Sequence, residues 1–253
     1  MRIALACAPV KNKNLLFNLN QMKKAVEACR GKAELILFGE SVLQGFDSLC
    51  WDYKTDCEVA VSLTGEPIRQ MCSVARENQI AISFGFIQKT EDALYSSQIL
   101  IGAEGEVVNL FHRVSVGWKE YTKSDEHYRE GCCFESFSYL GKQFAVGLCG
   151  DLWTDGRPEE MNALHADVVL WPVWCDYAPD EWNKTIKYEY AQQAARCAEN
   201  VLLVNPFCAD PNEEGLAMGG AAYFRNGAII SEIPSGMSGI LIAELIEPEK
   251  YDN

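Results

Sequence analysis

The sequence predicts an α/β domain built on mixed sheets. Three observations predict it: apolar strand-like runs alternate with amphipathic helical stretches, the middle of the chain reads as an antiparallel hairpin, and the end reads as short strands joined by glycine turns. The 253 residues are 48% hydrophobic, enough for a large core. No linker, low-complexity segment or solenoid-length repeat divides them, so a single domain over 1–253 is expected.

Arg2–Ala8 is the first strand. Asn18–Arg30 then places Leu19, Met22, Val26 and Cys29 on one helical face, with Gly31 as its stop, and Glu34–Phe38 follows at once as a strand. A strand, helix, strand run of this kind calls for parallel strands and a covering helix. Thr64 is expected to cap a second helix carrying Ile68, Met71, Cys72 and Ala75, which leads into the strand Ile80–Phe86. Ser96–Ile101 and Val107–Phe111 form an antiparallel hairpin through Gly105, and Phe134–Leu140 with Phe144–Cys149 form another through Gly141. A helix over Arg157–His165 precedes Asp167–Val173, whose unbroken apolar run fits a strand buried on both faces. A long helix from Trp182 to Glu199 and the strand Val201–Asn205 repeat the pattern. Ala221–Phe224, Ala228–Ile230 and Ile240–Leu245 are the closing strands.

Charge and composition exclude several function classes. A formal net charge of −14 with no basic tract repels a phosphate backbone, so neither nucleic acid nor an anionic membrane is an expected partner. The apolar run at the amino terminus, about seven residues after a single Arg, is too short for a secretory signal or a membrane span. The 11 cysteines are odd in number and show no CxxC pair, which points to reduced thiols and a cytoplasmic setting. With only His112, His127 and His165, and no paired ligand spacing, no metal site is expected. The GxSxG, Walker A and GxGxxG patterns are also absent.

Two apolar strands end in groups that can do chemistry. Leu35–Phe46 (LILFGESVLQGF) delivers Glu40 into a glycine-containing loop, and strand ends are where α/β proteins place reactive groups. Phe144–Trp153 (FAVGLCGDLW) delivers Cys149 into a turn whose next backbone N–H groups, beginning with Gly150, could meet an oxyanion. Between them, Asn109–Gly131 is a long segment dense in charge and aromatic residues, of the kind that is disproportionately functional. Each segment alone also fits an ordinary role: a solvated glutamate, a buried thiol ending a core strand, a polar surface loop.

Taken together and in order, these segments resemble the carbon–nitrogen hydrolase (nitrilase) superfamily. In that family a strand-end Glu, a Lys after a hairpin and a strand-end Cys form the catalytic set. LILFGE…GF is similar to the first motif and GLCGDLW…RPE to the cysteine motif. ALYSSQILIGAEGEVVNLF resembles the intervening hairpin, RCAENVLLVN the late helix and strand, and GGAAYFRNGAII the closing segment.

The resemblance implies a four-layer αββα sandwich, with Glu40 as general base and Cys149 as nucleophile. It also implies hydrolysis of non-peptide C–N bonds in a small amide, carbamoyl compound or nitrile, with no metal or organic cofactor. Association through helices into a homodimer or larger homo-oligomer is a further implication. The chain departs from the family at Phe111–His112–Arg113, where Arg113 stands in the lysine position, and Lys119 is the alternative cation. For the family's second carboxylate, ahead of a feature matched by Tyr128–Arg129–Glu130–Gly131, Glu126 is the expected residue and Glu120 and Glu130 are alternatives. Phe46, Trp153 and Trp174 lie just past the relevant strand ends and are candidates, with Gly150, for lining a substrate cleft. Cys-Gly-Asp-Leu-Trp is similar to the cysteine motif of glutaminase domains attached to NAD synthetases, a role that would need a separate synthetase partner. Against the hydrolase stands a catalytically silent ligand-binding relative, motivated by Arg113.

Overall fold

The structure is a computed structural model that describes residues 1–210 and 215–246. In chain order its elements are β1 (Arg2–Cys7), β2 (Pro9–Val10), α1 (Leu15–Cys29), β3 (Leu35–Phe38), α2 (Tyr53–Val59), α3 (Glu66–Asn78), β4 (Ala81–Lys89), β5 (Leu94–Ile101), β6 (Val107–His112), β7 (Ser136–Tyr139) and β8 (Lys142–Val146). The second half adds α4 (Arg157–Ala163), β9 (Val168–Pro172), α5 (Pro179–Glu181), α6 (Lys187–Cys197), β10 (Asn200–Val204), β11 (Phe207–Cys208), β12 (Ala221–Arg225), β13 (Ala228–Ile233) and β14 (Gly239–Glu244).

Two six-stranded sheets have the orders β14-β1-β3-β4-β5-β6 and β13-β12-β10-β9-β8-β7, and a small parallel pair joins β11 to β2. In each large sheet three adjacent strands are parallel, β1/β3/β4 in one and β8/β9/β10 in the other, and antiparallel strands flank them.

Strand alternation decides the layering. Ile3, Leu5, Cys7, Leu35 and Leu37 point into a core shared with β9 and β10, while Ala4, Ala6, Ile36 and Phe38 point the other way, onto α1 and α3. The second sheet carries α4 and α6 on its far side. The layers are therefore helices, sheet, sheet and helices, the expected αββα sandwich. The parallel strands of both sheets are buried on both faces, which is why they read as unbroken apolar runs.

Local departures from the sequence reading have local causes. Helix α1 starts a turn earlier than Asn18 because the Asn14 side chain accepts from Phe17 N at 3.1 Å and caps it. Thr64 is not the cap of α3; Gly65 is, with Pro67 in the first turn, where a proline costs no hydrogen bond. The long helix after Trp182 begins as a π-helical stretch over Trp182–Ile186 before α6. Helix α2, capped by Asp52 onto Thr55 N, has no counterpart in the sequence reading. The Leu140–Gly141 turn is as expected: both residues have positive φ, which matches the twist of a two-residue hairpin. No helix among the described residues is long and apolar enough to cross a membrane.

Candidate active site

The ends of β3 and β8 meet where the two sheets face each other. Glu40 follows β3 and is fully buried; its backbone N–H donates to the Val173 carbonyl just past β9 at 3.3 Å, which pins one sheet's strand end to the other's. Its carboxylate Oε1 accepts from Arg113 Nη1 at 2.8 Å and from Ser96 Oγ at 3.1 Å. Its Oε2 is buried without a hydrogen-bond partner among the described residues. A buried acceptor left open in this way is costly, and it is a feature expected where a ligand is to supply the donor.

Strand β4 sets the position of Glu40. Gly85 N donates to Gly39 O and Gly85 O accepts from Leu43 N, both at 3.2 Å, so the Glu40 loop lies directly on the Gly85 backbone. A Cβ at Gly85 would stand 2.4 Å from Ser41 N and 2.7 Å from Glu40 Cα. Gly85→Ala is therefore expected to lose about 1–3 kcal/mol of stability through overpacking against backbone, read by urea unfolding.

Cys149 opens a 3₁₀ turn, Cys149–Trp153, with φ of 44°. A cysteine held in the left-handed region is strained, and such strain gathers at functional sites. The half-buried thiol donates to the Trp174 carbonyl at 3.6 Å, and the Cys149 carbonyl accepts from Trp171 Nε1 at 2.9 Å. The neighbouring Cys175 thiol is the largest influence on its acidity and holds it below the ordinary thiol range. Burial and Glu40 oppose that effect, while Arg113 and the Trp174 backbone add to it. A lowered pKa means more thiolate at neutral pH. The rate of Cys149 alkylation by iodoacetamide, followed against pH by peptide mass spectrometry, is accordingly expected to reach half-maximum at a lower pH than that of free glutathione treated alongside.

Arg113 links the two reactive ends. Beyond Glu40, its Nε donates to Ser115 Oγ at 2.9 Å, and a Cβ on Gly150 would come within 2.8 Å of Nη2, so only a glycine leaves room for the guanidinium beside the cysteine turn. Burial works against its charge, but Glu40, Cys149 and Asp151 outweigh burial and hold it firmly protonated.

Asp151, two residues past Cys149, accepts from the backbone N–H groups of Val114, Ser115 and Leu148 at 3.1, 2.7 and 2.9 Å. It thereby ties the cysteine turn to the Arg113 segment. Burial pushes its carboxyl up to about 6 against the pull of Arg113 and these donors.

Of the residues singled out in the sequence, the fold brings Glu40, Arg113, Cys149 and Gly150 together. Trp174 joins them through its carbonyl, and its ring stacks on Phe46 with centroids 5.7 Å apart. Lys119 is not the cation of this cluster: its Nζ pairs with Glu130 at 2.7 Å and donates to the Tyr128 carbonyl at the same distance. Glu126 is exposed and outside the cluster, in the turn closed by Tyr128 N to Asp125 O, where its backbone carbonyl accepts from Arg129 Nε. The carboxylate at the cluster besides Glu40 is Asp151. Trp153 packs on Trp171 and Tyr190 instead of Phe46 and Trp174. Ser96, Ser115, Asp151 and Cys175 were missed. Hairpin register could have found Ser96, whose carbonyl accepts from Arg113 N at 2.9 Å; no periodicity would have found Cys175.

A sequence profile described as carbon-nitrogen hydrolase matches residues 2–247. Among curated proteins, the chain is 24% identical over 170 residues to an (R)-stereoselective amidase of a Pseudomonas species, covering 67% of this chain and 59% of that protein. It is 31% identical over 177 residues to an arylacetonitrilase of Hypocrea virens, covering 63% and 51%. It is also 24% identical over 172 residues to a glutamine-dependent NAD(+) synthetase of Acinetobacter baylyi, covering 67% and 30%. The matched segment spans less than two thirds of each of these relatives. Among solved structures, a nitrilase-superfamily amidase from Nesterenkonia superposes with a TM-score of 0.75 at 19% identity, covering 97% of this chain and 90% of that one. A CN-hydrolase superfamily protein from Xanthomonas campestris superposes with a TM-score of 0.78 at 17% identity, covering 96% and 89%. The likeness to these two structures is one of fold.

Proposed function

Because the chain belongs to the carbon-nitrogen hydrolase family, we propose that it cleaves a non-peptide C–N bond of a small amide or N-carbamoyl compound through a thioester on Cys149. The observation that carries this reading is the buried Glu40–Arg113 pair set against a strained, acidified thiol at the meeting of two sheets. A surface carboxylate and an inert core cysteine would have none of these properties.

Glu40 takes the thiol proton and the thiolate attacks the carbonyl carbon. Charge developing on oxygen meets the Gly150 backbone N–H and the Arg113 guanidinium, an arrangement worth about 3 kcal/mol per donor in other oxyanion sites. The C–N bond breaks as Glu40 returns its proton to the leaving nitrogen. Glu40 then deprotonates a water, which attacks the thioester carbon, releases the acid and returns the proton to the thiol. Arg113 in the lysine position pairs with Glu40 through Nη1 while Nε holds Ser115, a fixed planar geometry that a compact ammonium does not reproduce.

The partners belonging to this proposal are a small-molecule amide or carbamoyl substrate and a second copy of the chain in a homodimer or larger homo-oligomer, in a cytoplasmic setting. The test is ammonia release from a panel of aliphatic amides, glutamine, N-carbamoyl amino acids and nitriles; nitriles are included because arylacetonitrilases and cyanide hydratases are among the relatives. Release from an amide or carbamoyl compound supports the proposal. Release from nitriles alone moves the assignment to a nitrilase, and no release from any compound overturns hydrolysis in favour of a silent binding protein.

A further inference from the structure

Gly131 closes the long segment that begins at Arg113. Its N–H donates to the Arg113 carbonyl at 2.9 Å, and a Cβ there would stand 2.5 Å from the His112 carbonyl oxygen, so the chain returns against the arginine through a glycine. The next two residues are Cys132 and Cys133. Both are exposed, and their sulfurs lie 3.3 Å apart. Successive side chains on an extended backbone point to opposite sides, so two adjacent thiols in contact call for a cause.

The cause lies in helix α4. Arg157 Nη2 donates to the Cys132 carbonyl at 3.2 Å while its Nη1 pairs with Glu160 at 2.6 Å, and Glu160 accepts from the Phe134 N–H at 3.0 Å. One ion pair therefore holds the dipeptide from both sides. The Phe134 ring stacks on Phe111 of β6 with centroids 5.8 Å apart, and the Arg157 guanidinium lies over it at 5.7 Å. The hydrolysis proposed for Cys149 uses neither of these thiols.

We propose that Cys132 and Cys133 form a thiol switch: a low-molecular-weight disulfide of the glutathione type closes them into a vicinal disulfide, and closure loosens the hold of Gly131 on Arg113. In the first step one thiol gives its proton to solvent and its sulfur attacks the oxidant. The oxidant's S–S bond breaks, a mixed disulfide forms and one small thiolate leaves. In the second the adjacent cysteine loses its proton and attacks the protein sulfur of the mixed disulfide, and the second small thiolate leaves and is protonated. Two protein thiols are oxidised by two electrons in all, and one small disulfide is reduced to two thiols.

Contact favours the second step, because the resolving sulfur is already in place. The cost falls on the backbone. Adjacent Cα atoms across a trans peptide are about 3.8 Å apart, short of the roughly 4.4–6.8 Å that a relaxed disulfide spans. To bring the sulfurs to about 2.05 Å, the Cys132–Cys133 peptide, whose carbonyl Arg157 holds, has to turn. Gly131 is the next residue back along the chain and has no side chain to resist that movement, so its bond to the Arg113 carbonyl is the first to feel it. Strain of this kind makes a disulfide easy to reduce, as a switch requires.

Neither readout of the test needs a substrate or the hydrolytic reading. Protein isotope-labelled at glycine is treated with glutathione disulfide, and part of it is blocked with N-ethylmaleimide and digested with trypsin without reductant. The peptide Glu130–Lys142 carries no other cysteine. It is expected to lack maleimide, to weigh two hydrogens less than the dithiol, and to take two maleimides when dithiothreitol precedes the block. In Cys133→Ser it is expected to stop at the mixed disulfide, with one glutathione on Cys132. In the rest of the sample, exchange of the Gly131 amide hydrogen, followed by NMR, is expected to quicken about tenfold on closure, the size of one weakened hydrogen bond. The Gly85 amide, bonded to the Gly39 carbonyl, should keep its rate, and Cys132→Ser/Cys133→Ser should show no change at either glycine. A peptide that keeps both thiols, carries glutathione on both cysteines or is linked to another peptide overturns the proposal. So does closure that leaves Gly131 exchange unchanged.

Discussion

Cys149→Ala is expected to abolish ammonia release from every compound the native protein cleaves, with a fall of about 10³-fold or more. The size follows from the chemistry. Without the sulfur there is no thioester, and water would have to attack an amide directly in a site built to hold a tetrahedral sulfur adduct. The fold should tolerate the change, because the hydrogen bond from the thiol to the Trp174 carbonyl is long and weak. Circular dichroism and urea unfolding close to native, together with lost activity, would place the defect in the reaction. Retained ammonia release would remove Cys149 from the mechanism.

Arg113→Met is expected to be the most damaging of the cluster variants to both stability and activity. Arg113 is 4% exposed and Glu40 fully buried, so the substitution strands a carboxylate with one remaining partner, Ser96. Breaking a buried pair from one side costs about 3–5 kcal/mol, since the orphaned charge loses its compensation. Urea unfolding measures that loss. The companion variant Glu40→Gln/Arg113→Met should recover part of it, because removing the carboxylate charge removes the penalty, while activity stays lost for want of a base. Arg113→Lys keeps the charge but supplies a compact ammonium in place of a fork; it should hold Glu40 and give up the Ser115 bond, with stability between the other two. Equal unfolding midpoints for the native protein and Arg113→Met would show that the pair carries no such energy.

Much of this architecture is legible along the chain because its signals are local and repeated. The period-two sorting of Ile3, Leu5 and Cys7 from Ala4 and Ala6, and the helical face of Leu19, Met22, Val26 and Cys29, are fixed by backbone geometry and by what each face touches. Glu40 and Cys149 stand out because each ends an apolar strand, and an apolar strand running into a polar group needs a reason. Glu126 misled because spacing within a long loop says little about direction: the turn from Asp125 to Tyr128 sends it outward, and the carboxylate beside Arg113 comes instead from Asp151 in the cysteine motif itself.

The sequence by itself determined that an α/β core would form and that two strand ends would carry a carboxylate and a thiol. These follow from residue identity and from periods of two and 3.6, which need no knowledge of the partner strand. Only the tertiary structure decided that Arg113 and not Lys119 reaches Glu40, that Asp151 fastens the cysteine turn to the arginine segment, and that the Trp174 carbonyl meets the Cys149 thiol. Those pairings join residues 73, 36 and 25 positions apart. Contacts across such separations are set by how two sheets stack face to face, and no local pattern in the chain encodes that stacking.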